Sequence, residues 1–302
     1  MKTINRRLNM VTIKFWTIAA IVLGMGFLFM NFRDWMPYDG ADKVAYEISG
    51  RWELPSELRE VSGISWIDDN RIAAVQDEDG IIFIYDLDKK KVVQEIEFGG
   101  AGDYEGLAIE GEDAYVLESN GTITIIENYR DIDKKTTSYK TKFSEKNNME
   151  SLELDLANHQ LLMIPKDRDI DSDDKKGVYA FSLDDHKLVD NPVMQLDMDD
   201  EVLKHFREKK VYKNFRPSDI AIHPQTKEIY MLEGSKPKLL ILDENGTAKR
   251  GYSLDKNIFP QPEGITFGED GSLYISSEGK KDGIGTITKL KLKLEAGNQN
   301  KY

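Results

Sequence analysis

The chain has 302 residues and a formal net charge of −13 at neutral pH, with 40% apolar and 31% charged residues. That is enough apolar material for one large domain, and acidity on this scale argues against a nucleic-acid backbone as partner. There is no cysteine, which excludes disulfides, thiolate metal sites and a cysteine nucleophile.

The first 42 residues differ in kind from the rest. Residues 1–14 carry Lys2, Arg6, Arg7 and Lys14 and no acid, and residues 15–32, "FWTIAAIVLGMGFLFMNF", hold no charge at all. A bilayer core takes roughly 20 apolar helical residues, so this run is just long enough to span. The basic flank predicts a cytoplasmic N-terminus. A cleaved signal peptide is the competing reading, but a small-x-small cleavage pattern is missing until Gly40-Ala41, so an uncleaved inner-membrane anchor is preferred. Trp35 and Tyr38, in a linker over 33–42, then lie near the outer interface. The expectation is a single-pass membrane protein with its remaining chain periplasmic or otherwise extracytoplasmic.

From residue 43 onward short apolar runs alternate with turns: "IIFIYDLDKK", "GTITIIENY", "KGVYAFSLDD", "KLLILDENGT", "GTITKLKLKL". Branched and aromatic residues at period two mark strands, and many short strands imply an all-β fold. Five segments align: "VSGISWI", "YEGLAIE", "MESLELD", "PSDIAIH" and "PEGITFG", anchored at Ser62, Glu105, Glu150, Ser218 and Glu263. The four intervals between anchors are 43, 45, 68 and 45 residues. A second strand follows each segment and ends at Asp77, Glu118, Lys166, Glu233 or Glu278. Four antiparallel strands per unit of about 45 residues is the signature of a propeller blade.

Five such units predict a five-bladed β-propeller over 43–295, followed by a tail at 296–302. A six-bladed ring with a degenerate blade in 185–215 is the alternative. The long interval contains "DMDDEVLKHFREKKVY", where Val202, Leu203 and Phe206 have helical spacing, so a short helix is expected near 198–212. The last unit lacks a clear fourth strand, while "KVAYEISGRWELP" at 43–55 is a strand to spare. The economical solution uses it to complete the last blade, which removes exposed sheet edges.

Because the first and second strands of a blade are antiparallel, the start of one and the end of the other share an end of the blade. The first strand is innermost, so these positions crowd one mouth of the central channel. Glu105, Glu150 and Glu263 are the leading candidates there, with Glu60, Asp77, Glu118, Asp219, Glu233 and Glu278 around them. Close like charges repel by about 4 kcal/mol at 4 Å and an effective dielectric near 20. Raised pKa values, Lys166 or a bound cation would offset this, and hard oxygen ligands point to Ca²⁺ ahead of Mg²⁺. Taken singly, each acid also reads as an ordinary turn residue facing water. Gly63, Gly106, Ser151, Asp219 and Gly264 follow the anchors; small residues let backbones approach closely near a crowded axis.

All four histidines, His159, His186, His205 and His223, fall in expected turns or in the insertion, and no G-x-S-x-G, H-E-x-x-H or glycine-rich phosphate loop occurs. The alternating acids of "DRDIDSDDKKG", residues 167–177, lack the glycine and terminal glutamate of a calcium loop and read as a solvated loop.

The segments "ELPSELREVSGISW", "DYEGLAI", "MESLELD", "RPSDIAIHPQTKEIYML" and "QPEGITFGEDGSLYISSEG" resemble the SdiA-regulated, YjiK-like proteins of bacteria over roughly residues 50–292. The resemblance implies a five-bladed propeller distantly related to NHL-repeat proteins, an N-terminal membrane or export segment and a calcium site. That site would fall on the matching Glu-Gly and Glu-Ser positions, at Glu105, Glu150 and Glu263. Ser218-Asp219 departs from the pattern. The resemblance supplies no activity. A calcium-bearing binding or scaffold module of unknown small-molecule or protein ligand is the preferred reading. A calcium-dependent hydrolase of phosphate esters or lactones is the alternative, on fold analogy alone.

Overall fold

The computed structural model describes residues 45–68, 70–279 and 283–293. The basic segment, the 15–32 anchor, the linker and the 296–302 tail lie outside these residues. Among the described residues no helix is long and apolar enough to cross a membrane.

Strand β1 spans Ala45–Glu53. Blade one follows with β2 (Val61–Asp68), β3 (Arg71–Gln76), β4 (Asp79–Asp86) and β5 (Lys91–Ala101). Blade two has β6 (Tyr104–Glu110), β7 (Asp113–Glu118), β8 (Ile123–Glu127) and β9 (Lys135–Tyr139). Blade three has β10 (Met149–Asp155), β11 (Gln160–Pro165) and β12 (Lys175–Ser182), with its outer edge split into β13 (Lys187–Leu188) and β14 (Met194–Asp197). Blade four has β15 (Asp219–Ile222), β16 (Ile229–Glu233), β17 (Lys238–Leu242) and β18 (Ala248–Ser253). Blade five has β19 (Pro262–Phe267), β20 (Leu273–Ser277) and β21 (Thr286–Lys293). Within each sheet the strands pair in chain order, and β1 adds to β21 as the fourth strand of blade five. The register runs antiparallel from Tyr46 opposite Leu292 to Glu53 opposite Thr286. Both ends of the described chain therefore meet in one sheet, and no blade is left open.

Residues 185–215 form no sixth blade. They supply the outer edge of blade three and the connection to blade four. Proline has no amide to donate to a ladder, and Pro192 sits at the break between β13 and β14. The expected helix near 198–212 is present as two 3₁₀ segments, Glu201–Phe206 and Val211–Lys213. The Asp200 carboxylate caps the first by accepting from the Val202 amide at 2.8 Å. Leu203 is buried, and Val202 and Phe206 pack on the layer between blades three and four. Gly251 of β18 leaves room for the Phe206 ring.

The core is five separate layers, one between each pair of adjacent blades. Middle strands serve two layers at once. In β3, Ala73 and Val75 face blade two, while Ile72 and Ala74 face blade five. In β16, Tyr230 and Leu232 face blade five, while Ile229 and Met231 face blade three. A strand covered on both faces needs apolar residues throughout, which is why the second and third strands read as continuous runs. The outer strand β5 alternates buried and exposed residues only in part.

The five inner strands, β2, β6, β10, β15 and β19, each abut the next around the ring. They do not share ladders, so side chains tie neighbouring blades together. The Glu153 carboxylate accepts from the Ile222 amide at 2.7 Å, the Ser218 hydroxyl donates to the Pro262 carbonyl at 3.0 Å, and the Ser276 hydroxyl donates to the Ser62 carbonyl at 3.2 Å. The approach is close. A Cβ on Gly63 would lie 2.7 Å from the Leu107 amide nitrogen, and one on Gly264 would lie 2.6 Å from the Ser62 carbonyl oxygen.

Candidate functional site

The pairing registers set which acids share an end. Tyr104 faces Glu118, Met149 faces Pro165 and Pro262 faces Ser277, so Glu105, Glu150 and Glu263 lie beside the ends of their second strands. In each of these blades the register shifts across the anchor: between Tyr104 and Gly106, Met149 and Ser151, and Pro262 and Ile265. An extra residue in one strand bends it locally and re-aims its side chain. Three glutamates in three bulges are thereby turned out of their ladders at one end of the ring.

Lys166, which follows β11, lies within electrostatic reach of all three. Its ammonium pairs with the Glu150 carboxylate, and both side chains are largely buried. The Asn148 side-chain amide donates to the other Glu150 oxygen at 2.7 Å. Burial pushes the Glu105 carboxyl up to about 9, helped by the charges of Glu150, Asp103 and Glu263 and opposed by Lys166. Burial likewise lifts Glu150 to about 8 against the pull of Lys166, with Glu263 adding to the rise. Glu263 is also raised, chiefly by burial, and its carboxylate oxygens lie against Gly234 of blade four, where a Cβ would come within 2.7 Å of one of them. Glu278 is lifted to about 8 by burial and by Glu263 and Asp77. It accepts from the Gln261 side-chain amide at 2.6 Å.

The second ring is looser. Asp77 is raised by burial and then by Glu60, and one of its carboxylate oxygens is buried without a hydrogen-bond partner. Glu60 is paired with Arg59 at 3.2 Å and half-buried. Glu118 accepts from the Asn120 side chain at 3.2 Å. Two of the expected acids are otherwise engaged. Glu233 is held by the Lys238 ammonium at 2.6 Å and by the Arg216 amide at 3.0 Å. Asp219 sits in blade four, where the register is regular. Its buried carboxylate accepts from the amides of Ile265 at 2.8 Å, Ile220 at 2.9 Å and Leu152 at 3.4 Å. It joins blades three, four and five from within.

Several contributors were not singled out by sequence. Lys176, 2% exposed, donates to the carbonyls of Pro165 and Lys166 at 2.8 Å each and Asp167 at 2.7 Å. Arg216 reaches across from the approach to blade four and holds Asp167 at 2.8 Å. Asp103 accepts from the Ser119 hydroxyl beside Glu105. The signal available was a lysine opening an otherwise apolar strand, in "KKGVYAF" and "KPKLLIL".

Carboxylate oxygens are the donors that a hard cation takes. Their spacing here does not match such an ion: among the described residues no group of three or more His, Asp or Glu side chains is disposed to hold one metal. The Lys166 ammonium stands among them instead.

No curated protein matches the sequence. The fold is similar to the crystal structure of Myxococcus xanthus glutaminyl cyclase, with 12% identity and a TM-score of 0.55 over 82% of this chain and 96% of that one. It is also similar to the PQQ-bound aldose sugar dehydrogenase from Streptomyces coelicolor, with 11% identity and a TM-score of 0.50 over 83% and 98% of the two chains. At such identities the likeness shows the fold alone. The SdiA-regulated family model matches residues 43–281, nearly all of the described propeller, and the chain belongs to the SdiA-regulated family.

Proposed function

We propose that the protein is a binding or scaffold module, held at the outer face of the membrane through residues 15–32, whose working end is the acidic channel mouth. The mouth takes up a cation, Ca²⁺ being the ion that takes carboxylate oxygens as donors, and the side chains must draw together from the spacing they hold here to bind it. A small molecule or protein ligand docks over it. The observation that carries this reading is the convergence of Glu105, Glu150 and Glu263, from three blades, on Lys166, with Arg216 also acting on Glu150 and Glu263. Burial and mutual repulsion raise the carboxyls of Glu105, Glu150, Glu263, Glu278 and Asp77, so cation uptake must displace protons and strengthens as pH rises.

A binding role is preferred over hydrolysis of phosphate esters or lactones. His159, His186 and His223 lie in turns at the far end of their blades, and His205 lies in the inserted 3₁₀ segment. None is placed as a general base at the mouth.

Thermal unfolding of the full-length protein with added CaCl₂ tests the reading. A ligand at about 100 times its Kd stabilises by about 2.7 kcal/mol. A rise in Tm that saturates with calcium and disappears in the double variant Glu105→Gln/Glu263→Gln supports it. A calcium-independent Tm contradicts the cation and leaves the acids as a docking surface for a basic partner.

A further inference from the structure

A cavity of about 560 Å³ lies where blades four and five meet at the far end of the ring, away from the acidic mouth. Sites that hold small molecules measure about 300–1,000 Å³. Its apolar part continues the layer between the two blades, at Leu273 and Leu290. Beside these the lining is aromatic. Phe267, at the end of β19, meets Tyr230 edge to face at 5.0 Å and the His223 imidazole at 4.8 Å, both between ring centroids. Phe267 and His223 are half-buried, so ring surface is left uncovered.

Two hydrogen-bond donors border this space. His223 Nδ1 accepts from the amides of Gln225 and Thr226 at 3.2 Å each, which places the ring proton on Nε2. Burial lowers the pKa of the imidazole and so favours its neutral form. Gly271, at φ +77°, lets the turn before β20 close on that edge: a Cβ there would lie 3.3 Å from Nε2. The Tyr230 hydroxyl is the second donor, and burial lifts its pKa to about 12, so it keeps its proton. Among the described residues neither Nε2 nor the hydroxyl has a hydrogen-bond acceptor.

An acceptor stands on the same turn. The Asp270 carboxylate accepts from the Ser272 amide at 2.9 Å and from its hydroxyl at 2.8 Å, which leaves it further lone pairs. The charges at the rim balance. Asp270 lies 3.7 Å from the Lys289 ammonium, and Glu47 stands opposite Lys291 in the pairing of β1 with β21. No net charge is left to draw in an ion. A ring-lined wall, donors beside an acceptor, and a neutral rim suit a ligand with a C–H face and an edge of hydroxyls, since a hydroxyl both donates and accepts.

We propose that this cavity binds a neutral saccharide, a pyranose laid with its C–H face against Phe267 and His223 and its hydroxyls shared among His223 Nε2, Tyr230 and Asp270. The site is at the opposite end of the propeller from Glu105, Glu150 and Glu263 and does not rest on the cation-binding reading.

The test is saturation-transfer NMR of the full-length protein, irradiated at its aromatic protons and titrated in turn with D-glucose, N-acetyl-D-glucosamine, cellobiose and N,N′-diacetylchitobiose. Saturable binding of at least one of these sugars is expected, with transfer strongest to the C–H protons of one pyranose face. Tyr230→Phe and Phe267→Leu are each expected to weaken that binding about fivefold. Absence of saturable binding for all four sugars overturns the proposal, as does binding that either variant leaves undiminished. Tighter binding of glucuronate or glucosamine than of glucose also overturns it, because it marks an ionic site. Should Phe267→Leu fail to fold, Tyr230→Phe, which removes a single oxygen, decides alone.

Discussion

Glu105 and Asp219 stand one column apart in the same repeat, and backbone register gives them opposite work. Glu105 is thrown out of its ladder by a bulge and faces other acids. Asp219 stays in register and satisfies three buried amides. Leaving buried donors unpaired costs about 1–3 kcal/mol each, so Asp219→Ala is expected to lower stability by at least about 3 kcal/mol in urea denaturation. Glu105→Gln should differ in sign and in pH dependence. With its folded pKa raised to about 9, Glu105 contributes stability that is complete below the ordinary carboxylate range and is lost as pH rises through about 9. The variant should therefore match the parent's pH trend below about pH 4 and gain on it steadily from there towards pH 9. The difference between the two proteins isolates Glu105 from Lys176, which burial pulls down to about 7 and which titrates in the same window with the opposite effect. A gap that stays constant with pH contradicts the assignment. Neither role was legible in sequence, because a bulge leaves no residue signature when Glu-Gly, Glu-Ser and Ser-Asp occupy the same column. Lys176 and Lys238 escaped for a related reason: the carbonyls they bind come from loops that only the fold brings back to them.

At the scale of elements, β1 is the closing piece. It covers the edge of β21 along its length, the Trp52 indole donates to the Leu87 carbonyl at 2.7 Å, and Trp52 packs near Tyr274 at 6.4 Å between ring centroids. Deleting 42–52 uncovers that edge and empties part of the layer between blades five and one. Loss of cooperative unfolding, or a drop in Tm far beyond that caused by trimming 296–302, is expected from calorimetry. Equal tolerance of the two truncations contradicts the closure. This element was legible, because a period-two strand left over at one end matched a blade short of a strand at the other. The insertion was legible in place but not in type. Val202, Leu203 and Phe206 fit an α-helix or a 3₁₀ turn equally over so few residues, and the short Asp200-capped segment takes the tighter form.

At the scale of the molecule, the long repeat made the fold readable, since five copies of one supersecondary unit leave few alternatives for stacking. The membrane topology rests on charge and hydropathy alone. It predicts that a C-terminal alkaline phosphatase fusion is active and that a cytoplasmic reporter at the same place is not. A mature N-terminus recovered near Ala41 would rule out the anchor. The mouth is the collective product of ring closure: no blade alone gathers Glu105, Glu150 and Glu263 around Lys166. Equilibrium dialysis of the full-length protein against radioactive calcium measures that convergence most directly. One saturable ion per chain is expected, lost in Glu105→Gln/Glu263→Gln and retained in Asp219→Asn. No saturable calcium in the parent, or undiminished binding in the double variant, would contradict it.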